Sequence, residues 1–323
     1  MKVRHQFLLL LSLALLASMP ALFAGCGGKK DSTRGWAVGS RDILYTSNGG
    51  KIWTRQKRLT WDAYSCGISF SDASHGWIVG DDAYFTSDGG TSWQKYAKTG
   101  RSASLSGFSD IDFADLEHGW AVGPKGAVVA TTDGGHLWKA QSSGTVDDLT
   151  GVTFADDLHG WAVGNNGVIV ATSDGGAHWT RQRSPTSDSL SDVTFVDASH
   201  GWVTGAGIFA TTNGGKTWRE QYGLSGWSVS FADLSHGWFI GGGGVLATSN
   251  GGRNWGAYAK APRSKVGYTG YIEVRRVVAV NARHAWVVGD LGTILATGDG
   301  GKTWVKQESG TTDELYCVAS VAT

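Results

Sequence analysis

Short runs of alternating apolar and polar residues recur along this chain about every 42 residues. The fourth unit shows the pattern best: Leu149–Phe154, Gly160–Gly164, Gly167–Thr172 and Trp179–Arg183 are short apolar or alternating segments separated by turn residues. Segments of this length and alternation predict β-strands rather than helices. We therefore predict four short antiparallel strands in each unit.

Each unit also carries an Asp-box-like motif, Thr-x-Asp/Asn-Gly-Gly-x-x-Trp, which predicts the turn between the third and fourth strands. The motif occurs seven times, beginning at Thr46, Thr86, Thr131, Thr172, Thr211, Thr248 and Thr297. A second tryptophan precedes each motif, at Trp36, Trp77, Trp120, Trp161, Trp202, Trp238 and Trp286. Burying one such ring stabilises the fold by up to about 4–6 kcal/mol, so we assign these tryptophans to the core.

Seven repeated four-stranded units predict an all-β fold, a seven-bladed β-propeller of antiparallel blades. The first unit begins at Gly35 and lacks its first strand, whereas Ser309–Thr323 is similar to Ser143–Asp157, the segment that supplies that strand in the fourth unit. We therefore expect the C-terminal strand to pair with the N-terminal blade. This closure leaves no free blade edge at the junction of the two ends.

The repeated run Asp-x-x-His-Gly-Trp-x-Val-Gly, followed by the Gly-Gly-x-x-Trp motif, resembles the photosystem II stability and assembly factor family. The resemblance covers about residues 34–323. It implies a seven-bladed propeller that is often exported or lipid-anchored, with relatives in non-photosynthetic bacteria. It also implies a non-catalytic scaffold that holds a protein partner of a membrane complex.

The first residues predict export. Lys2 and Arg4 precede an apolar run that is too short to span a bilayer, and Phe23-Ala24-Gly25-Cys26 resembles a bacterial lipobox. We predict a signal peptide over residues 1–25, a lipid-anchored tether over 26–33 that begins with a lipidated Cys26, and the propeller over 34–323. An ordinary secreted protein cleaved near Ala24 is the alternative. The predicted location is extracytoplasmic and membrane-anchored, on the periplasmic or cell-surface side.

Charge and cysteine content narrow the function further. Without residues 1–25 the chain has 26 basic and 28 acidic residues, which gives no general attraction to nucleic acid.

Cys66 and Cys317 fall at positions of opposite parity on the predicted inner strands, so we expect two buried thiols rather than a disulfide. We expect a monomer without a cofactor.

Six histidines occupy one repeat position, each three residues after an Asp or Asn, at His75, His118, His159, His200, His236 and His284. One histidine per blade leaves neighbours too far apart for metal bonds of about 2 Å. We interpret them as turn residues and predict no metal site.

Catalysis would require residues that depart from the repeat. Asp110 and Asp192 occupy matched positions on the first strands of units 3 and 5, and Arg276 occupies that position in unit 7. Two facing carboxylates are what a glycosidase needs, so a carbohydrate-active propeller is the alternative function. Solvated channel residues are the simpler interpretation.

Variation in length points to a binding face. The connections between units vary most, and variable loops on a rigid scaffold are where binding residues usually gather. The longest connection carries Arg263, Lys265, Tyr268, Tyr271, Arg275 and Arg276, and other irregular connections carry Trp61 with Tyr64 and Trp227. We predict that these residues form the partner-binding site.

Overall fold

In the computed structural model, the described part of the chain comprises residues 33–60, 66–97, 102–241, 244–259 and 274–321. Within these ranges the chain forms seven four-stranded antiparallel sheets, which confirms the predicted seven-bladed propeller. We name the strands of each blade A to D, from the central channel outward.

Blade 1 takes its strand A from the other end of the chain. Its order is β28 (Leu315–Val321), β1 (Arg34–Gly39), β2 (Asp42–Thr46) and β3 (Thr54–Arg58). Trp36 pairs with Ala319 and Val38 with Cys317 in an antiparallel register. The predicted closure by the C-terminal strand is therefore confirmed.

Blades 2 to 4 each follow the chain order from A to D. Blade 2 contains β4 (Gly67–Phe70), β5 (Gly76–Val79), β6 (Ala83–Thr86) and β7 (Gln94–Lys95). Blade 3 contains β8 (Asp110–Phe113), β9 (His118–Val122), β10 (Ala127–Thr132) and β11 (Lys139–Ser142). Blade 4 contains β12 (Leu149–Phe154), β13 (Gly160–Gly164), β14 (Ile169–Thr172) and β15 (Thr180–Arg181).

Blades 5 to 7 repeat the same order. Blade 5 contains β16 (Asp192–Phe195), β17 (Gly201–Thr204), β18 (Ile208–Thr211) and β19 (Arg219–Tyr222). Blade 6 contains β20 (Gly226–Phe231), β21 (Gly237–Gly241), β22 (Gly244–Thr248) and β23 (Gly256–Ala259). Blade 7 contains β24 (Val274–Ala279), β25 (Ala285–Gly289), β26 (Thr293–Thr297) and β27 (Val305–Gln307).

The turn between strands C and D is fixed by side-chain hydrogen bonds. In blade 4 the Thr172 hydroxyl donates to Asp174 Oδ1 (2.8 Å) and accepts from the amide of Gly176 (2.9 Å). Asp174 Oδ1 also accepts from the amide of His178 at 2.9 Å. The glycine pair adopts positive φ, 67° at Gly175 and 85° at Gly176, a region that disfavours other residues. The motif is thus a structural turn, as predicted.

The repeated histidines stabilise the turn between strands A and B. Asp156 Oδ1 accepts from the amides of Leu158 (2.9 Å) and His159 (2.7 Å), and His159 Nδ1 lies 2.9 Å from the same carboxylate. Burial alone would raise the pKa of Asp156, but these hydrogen bonds hold it below the usual value. The structural interpretation of the histidines is confirmed. The A–B and C–D turns share one face of the propeller, which we call the turn face.

The core lies between adjacent blades. A strand-B tryptophan stacks on the strand-A phenylalanine of the next blade, with ring centroids 3.5 Å apart in Trp120–Phe154 and Trp161–Phe195. The phenylalanine in turn covers a strand-B glycine: a Cβ on Gly160 would lie 2.3 Å from Phe154. The His-Gly-Trp sequence therefore makes room for the aromatic stack that joins blades.

The prediction of two free thiols is wrong, because Cys66 and Cys317 form a disulfide with Cα atoms 6.0 Å apart. The alternation of side chains along a strand does not set the directions of these two cysteines, for two reasons. Cys66 precedes β4, so the strand pleat does not set its direction, and the β1–β28 register shifts at Tyr316, beside Cys317. The bond joins blade 1 to blade 2 across 251 residues.

Candidate functional site

The central channel is lined by strand-A side chains and contains a polar cavity of about 260 Å³. Asp110, Asp192 and Arg276 meet there, although they come from blades 3, 5 and 7. The Arg276 Nη2 atom lies 3.6 Å from Asp110 Oδ2 and 3.4 Å from Asp192 Oδ1. The structure therefore brings together the three residues that the sequence singled out. The two carboxyl groups are 4% and 2% exposed, so they are buried rather than solvated.

The channel carboxyl groups also join neighbouring blades. Asp110 Oδ2 accepts from the amide of Val152 on blade 4 at 3.1 Å, and Asp192 Oδ2 accepts from the amide of Val229 on blade 6 at 3.0 Å. Strand A is the inner edge of its sheet, so these amides have no strand partner. The side chains satisfy them, which assigns Asp110 and Asp192 a structural role.

Serines perform the same task at other blade junctions. The Ser228 hydroxyl accepts from the amide of Val277 on blade 7 at 3.1 Å. On blade 2, the Ser69 hydroxyl accepts from the amide of Phe113 on blade 3, also at 3.1 Å. Ser228 holds the position of Asp110 and Asp192, and Ser69 holds that of Asp112, which accepts from the amide of Phe154 at 2.8 Å. This exchange of Asp for Ser fits hydrogen-bond acceptance rather than acid–base chemistry.

Burial shifts the titration of the channel acids. Burial raises the pKa of Asp110 to about 7, against the opposing attraction of Arg276, and the charge of Asp192 raises it further. Burial likewise raises the pKa of Asp112 to about 6, while the amides of Phe154 and Phe113 lower it. The channel therefore gains negative charge as the pH rises through neutrality.

These properties weigh against the carbohydrate-active alternative. Ligand pockets usually enclose about 300–1,000 Å³, and this cavity is smaller than that range. A glycosidase also needs two carboxyl groups that reach the scissile bond, whereas one oxygen of each acid here accepts a backbone amide.

A second cluster lies at the opposite mouth of the channel from the turn face. Three large side chains, Trp227, Arg275 and Tyr316, occupy the irregular position at the start of strand A in the consecutive blades 6, 7 and 1. We call them the mouth arc. An irregular ladder position re-aims a side chain away from the regular pleat, and this explains why they leave the channel.

Arg275 is held in place by its neighbours. Its Nε atom lies 2.7 Å from Asp290 Oδ1, its Nη2 atom lies 3.3 Å from Glu314 Oε2, and its guanidinium carbon lies 4.9 Å from the centroid of the Tyr316 ring. Burial alone would lower the pKa of Arg275, but Asp290 and Glu314 raise it. Asp290 belongs to a B–C loop and Glu314 to a connection between blades. The mouth arc thus lies on the face formed by these loops, the loop face.

Trp227 presents the largest exposed surface of the arc. Its indole Nε1–H donates to the carbonyl of Val274 on blade 7 at 2.7 Å, while 37% of the residue remains exposed. The hydrogen bond fixes the ring and leaves part of it open to solvent. A rigid, partly exposed tryptophan beside an arginine is a combination enriched at binding hot spots.

The structure separates the predicted partner-binding residues. Trp227 and Arg275 lie together in the mouth arc, whereas Arg276 lies in the channel. Arg263, Lys265, Tyr268, Tyr271, Trp61 and Tyr64 lie outside the described residues. Sequence analysis missed Tyr316, although its place before Cys317 on the closing strand was a usable signal. Alignment of that strand with strand A of blades 6 and 7 places it beside Trp227 and Arg275.

Within the described ranges, no group of three or more His, Cys, Asp or Glu side chains is arranged to hold a metal ion. In the same ranges, no helix has the length and apolar character needed to cross a bilayer.

Several solved structures resemble this fold. "YCF48 bound to D1 peptide" matches with a TM-score of 0.63 and 19% identity, over 93% of this chain and 92% of that chain. "YCF48 from Cyanidioschyzon merolae" matches with a TM-score of 0.60 and 22% identity, over 87% and 93% of the two chains. The GH74 enzyme of Niastella koreensis gives a TM-score of 0.52 and 16% identity, over 87% of this chain but 44% of that enzyme. At these identities the likenesses show the fold alone.

Sequence comparison is more specific. No curated protein matches this chain. The sequence profile of the family described as photosynthesis system II assembly factor YCF48 matches residues 101–183 and 225–311, which is just over half of the chain. This protein therefore belongs to the YCF48 family of photosystem II assembly factors.

Proposed function

We propose that this protein is a non-catalytic, lipid-anchored assembly factor that binds a segment of a partner protein at the mouth arc. The observation that carries the proposal is the clustering of Trp227, Arg275 and Tyr316 on three consecutive blades, beside the position where the long insertion of blade 7 joins β24. Family membership supports an assembly role, and one solved structure of the same fold is YCF48 bound to a D1 peptide.

The mouth arc suits a peptide because it is pre-organised. Arg275 is fixed by two carboxylates and an aromatic ring, and Trp227 is fixed by its hydrogen bond to Val274. Side chains ordered before binding lose less conformational entropy when the partner arrives. The insertion would add Arg263, Lys265, Tyr268 and Tyr271 to this surface, and Trp61 would add a further aromatic ring.

The lipid anchor at Cys26 is part of the same proposal. The lipobox-like sequence before Cys26 and the short tether after it would hold the propeller at the extracytoplasmic surface of a membrane. An anchor confines the protein near a membrane complex and raises the effective concentration of the binding face. The proposed partner is accordingly a protein of such a complex.

A triple substitution tests the binding face. We expect Trp227→Ala combined with Arg263→Ala and Tyr271→Ala to weaken crosslinked capture of the membrane partner at least tenfold, about 1.4 kcal/mol, with little change in melting temperature. Arg275 is left intact, because its removal would leave Asp290 and Glu314 without their shared cation.

Two matched controls use exposed residues elsewhere. Val146→Ala alters a connection between blades 3 and 4, and Ile52→Ala alters the turn face; these residues are 84% and 62% exposed. Both variants should capture the partner as well as the unaltered protein does. Full capture by the triple variant, measured by mass spectrometry after crosslinking in native membranes, would show that the partner binds elsewhere.

A further inference from the structure

One of the five junctions that pair a strand-B tryptophan with a strand-A phenylalanine departs from the other four. Between blades 2 and 3 the centroids of Trp77 and Phe113 lie 6.2 Å apart, whereas the equivalent pairs elsewhere, such as Trp36–Phe70 and Trp202–Phe231, lie 3.5–3.6 Å apart. A cleft of about 680 Å³ lies at this junction on the turn face, opposite the mouth arc. This volume lies within the range of about 300–1,000 Å³ that is usual for small-molecule sites.

Two sequence differences meet at this junction. The strand-C residue paired with Trp77 is Phe85; blade 1 has Tyr45 at this position, and blades 3 to 7 have alanine, at Ala130, Ala171, Ala210, Ala247 and Ala296. The Phe85 ring stacks on Trp77 at 5.1 Å.

The second difference is the loss of a glutamine that joins blades elsewhere. Gln141 Oε1 accepts from Trp179 Nε1 at 3.1 Å, and its Nε2 donates to the carbonyl of Gly175 at the same distance. Blade 2 has Tyr96 at this position, and Trp138 Nε1 is buried without a partner among the described residues. The Trp77 ring occupies the space that the glutamine fills at the next junction. Its Cζ2 atom lies 2.1 Å from a Cβ built on Gly135, and Gln141 Oε1 lies 2.1 Å from a Cβ built on Gly176, the equivalent glycine of blade 4.

The resulting cleft combines aromatic walls with an acidic mouth. Trp77, Phe85, Tyr96 and Phe113 line it, and Glu117 and Asp133 are its carboxylates. Hydrogen bonds from the Leu137 amide and the Thr131 hydroxyl keep the pKa of Asp133 below its usual value despite some burial. The remaining ionisable lining groups are His75 and His136, and no lysine or arginine occurs among the described lining residues.

Aromatic faces attract cations through their quadrupole, and cages of such rings bind quaternary ammonium groups. Nearby carboxylates add electrostatic attraction. We propose that this cleft binds a small quaternary ammonium ligand of the choline type. The site is independent of the proposed partner-binding face, since it lies on the other side of the propeller.

The test is a titration of the intact protein with choline, followed by NMR of the N-methyl resonance. We expect saturable binding at millimolar concentrations. The neutral isostere 3,3-dimethylbutan-1-ol should bind at least fivefold more weakly, because it has the same shape without the charge. Equal binding of choline and the isostere, or no saturable binding of choline, would overturn the proposal.

Variants locate the site. Phe85→Ala installs the residue found in five other blades and should weaken choline binding at least fivefold, while Glu117→Gln, at an exposed position, should weaken it at least twofold. The matched control is Glu220→Gln, which makes the same change in the turn-face groove between blades 5 and 6, where Ala210 replaces the phenylalanine. Undiminished binding by both cleft variants, or an equal loss in the control, would refute this assignment.

Discussion

Replacing Asp110 with asparagine should stabilise the protein at alkaline pH. Burial sets the pKa of Asp110 at about 7 in the folded chain, against 3.8 for an ordinary aspartate. At 1.36 kcal/mol per pKa unit, the difference corresponds to about 4 kcal/mol of unfavourable folding free energy once the group is ionised in both states. Asparagine is uncharged and keeps an oxygen that can accept from the amide of Val152.

The sign of the pH dependence follows from the direction of the shift. Below about pH 4, Asp110 is protonated in both states and contributes no penalty. Between about pH 4 and 7 the unfolded chain loses this proton before the folded one does, so the contribution of Asp110 to stability falls as pH rises. The advantage of Asp110→Asn should therefore grow from near zero at about pH 4 to a maximum of about 4 kcal/mol above pH 7.

The assay is urea denaturation of both proteins at several pH values, with equal ionic strength. Asp174→Asn is the matched control, because hydrogen bonds from His178 and Thr172 lower the pKa of Asp174 to about 2 and its substitution should not stabilise the protein at high pH. Lower stability of Asp110→Asn at pH 8 would refute the reasoning. It would mean that attraction to Arg276 outweighs the burial of the carboxylate.

Three further predictions concern the covalent and topological features of the chain. Reducing Cys66–Cys317, or replacing both residues with serine, should lower stability by up to about 5 kcal/mol in denaturation experiments, because the bond closes a loop of 251 residues; unchanged stability would contradict this. Truncation after Glu308 removes β28 and should abolish cooperative unfolding, as followed by calorimetry; an unchanged melting temperature would contradict the role of closure. Cys26→Ser should release the protein from the membrane fraction, and a soluble, lipid-free unaltered protein by mass spectrometry would show that the anchor is wrong.

The repeat made the fold predictable. Strands β12 and β13 begin and end where the alternation of blade 4 predicted, because glycines and turn residues bound them on both sides. Strand β14 begins at Ile169 rather than Gly167, since a 3₁₀ turn over Asn165–Gly167 takes up the first residues. Closure by the C-terminal strand followed from sequence similarity alone.

The candidate site was less predictable because it depends on departures from regular strands. Arg275 and Arg276 are adjacent, yet one lies in the mouth arc and the other in the channel, since the ladder shifts register between Val274 and Arg276. Strand alternation places the side chains of neighbouring residues on opposite faces, but it does not show which of the two points out of the channel. The disulfide was not predicted for a related reason, because Cys66 lies outside the pleated strand and the pleat does not set the direction of its side chain.

The bond between Cys66 and Cys317 also determines how the chain would respond to mechanical force. A pull applied to residues before β1 and after β28 would pass directly from blade 1 through the sulfur atoms, and the chain between the cysteines, which are 251 positions apart, would carry no load. At about 3.3–3.6 Å per extended residue, that shielded length is about 850 Å. In an oxidised chain, tension would therefore act on blade 1 and leave the chain of blades 2 to 7 unstretched. Reduction would expose the whole length to the force.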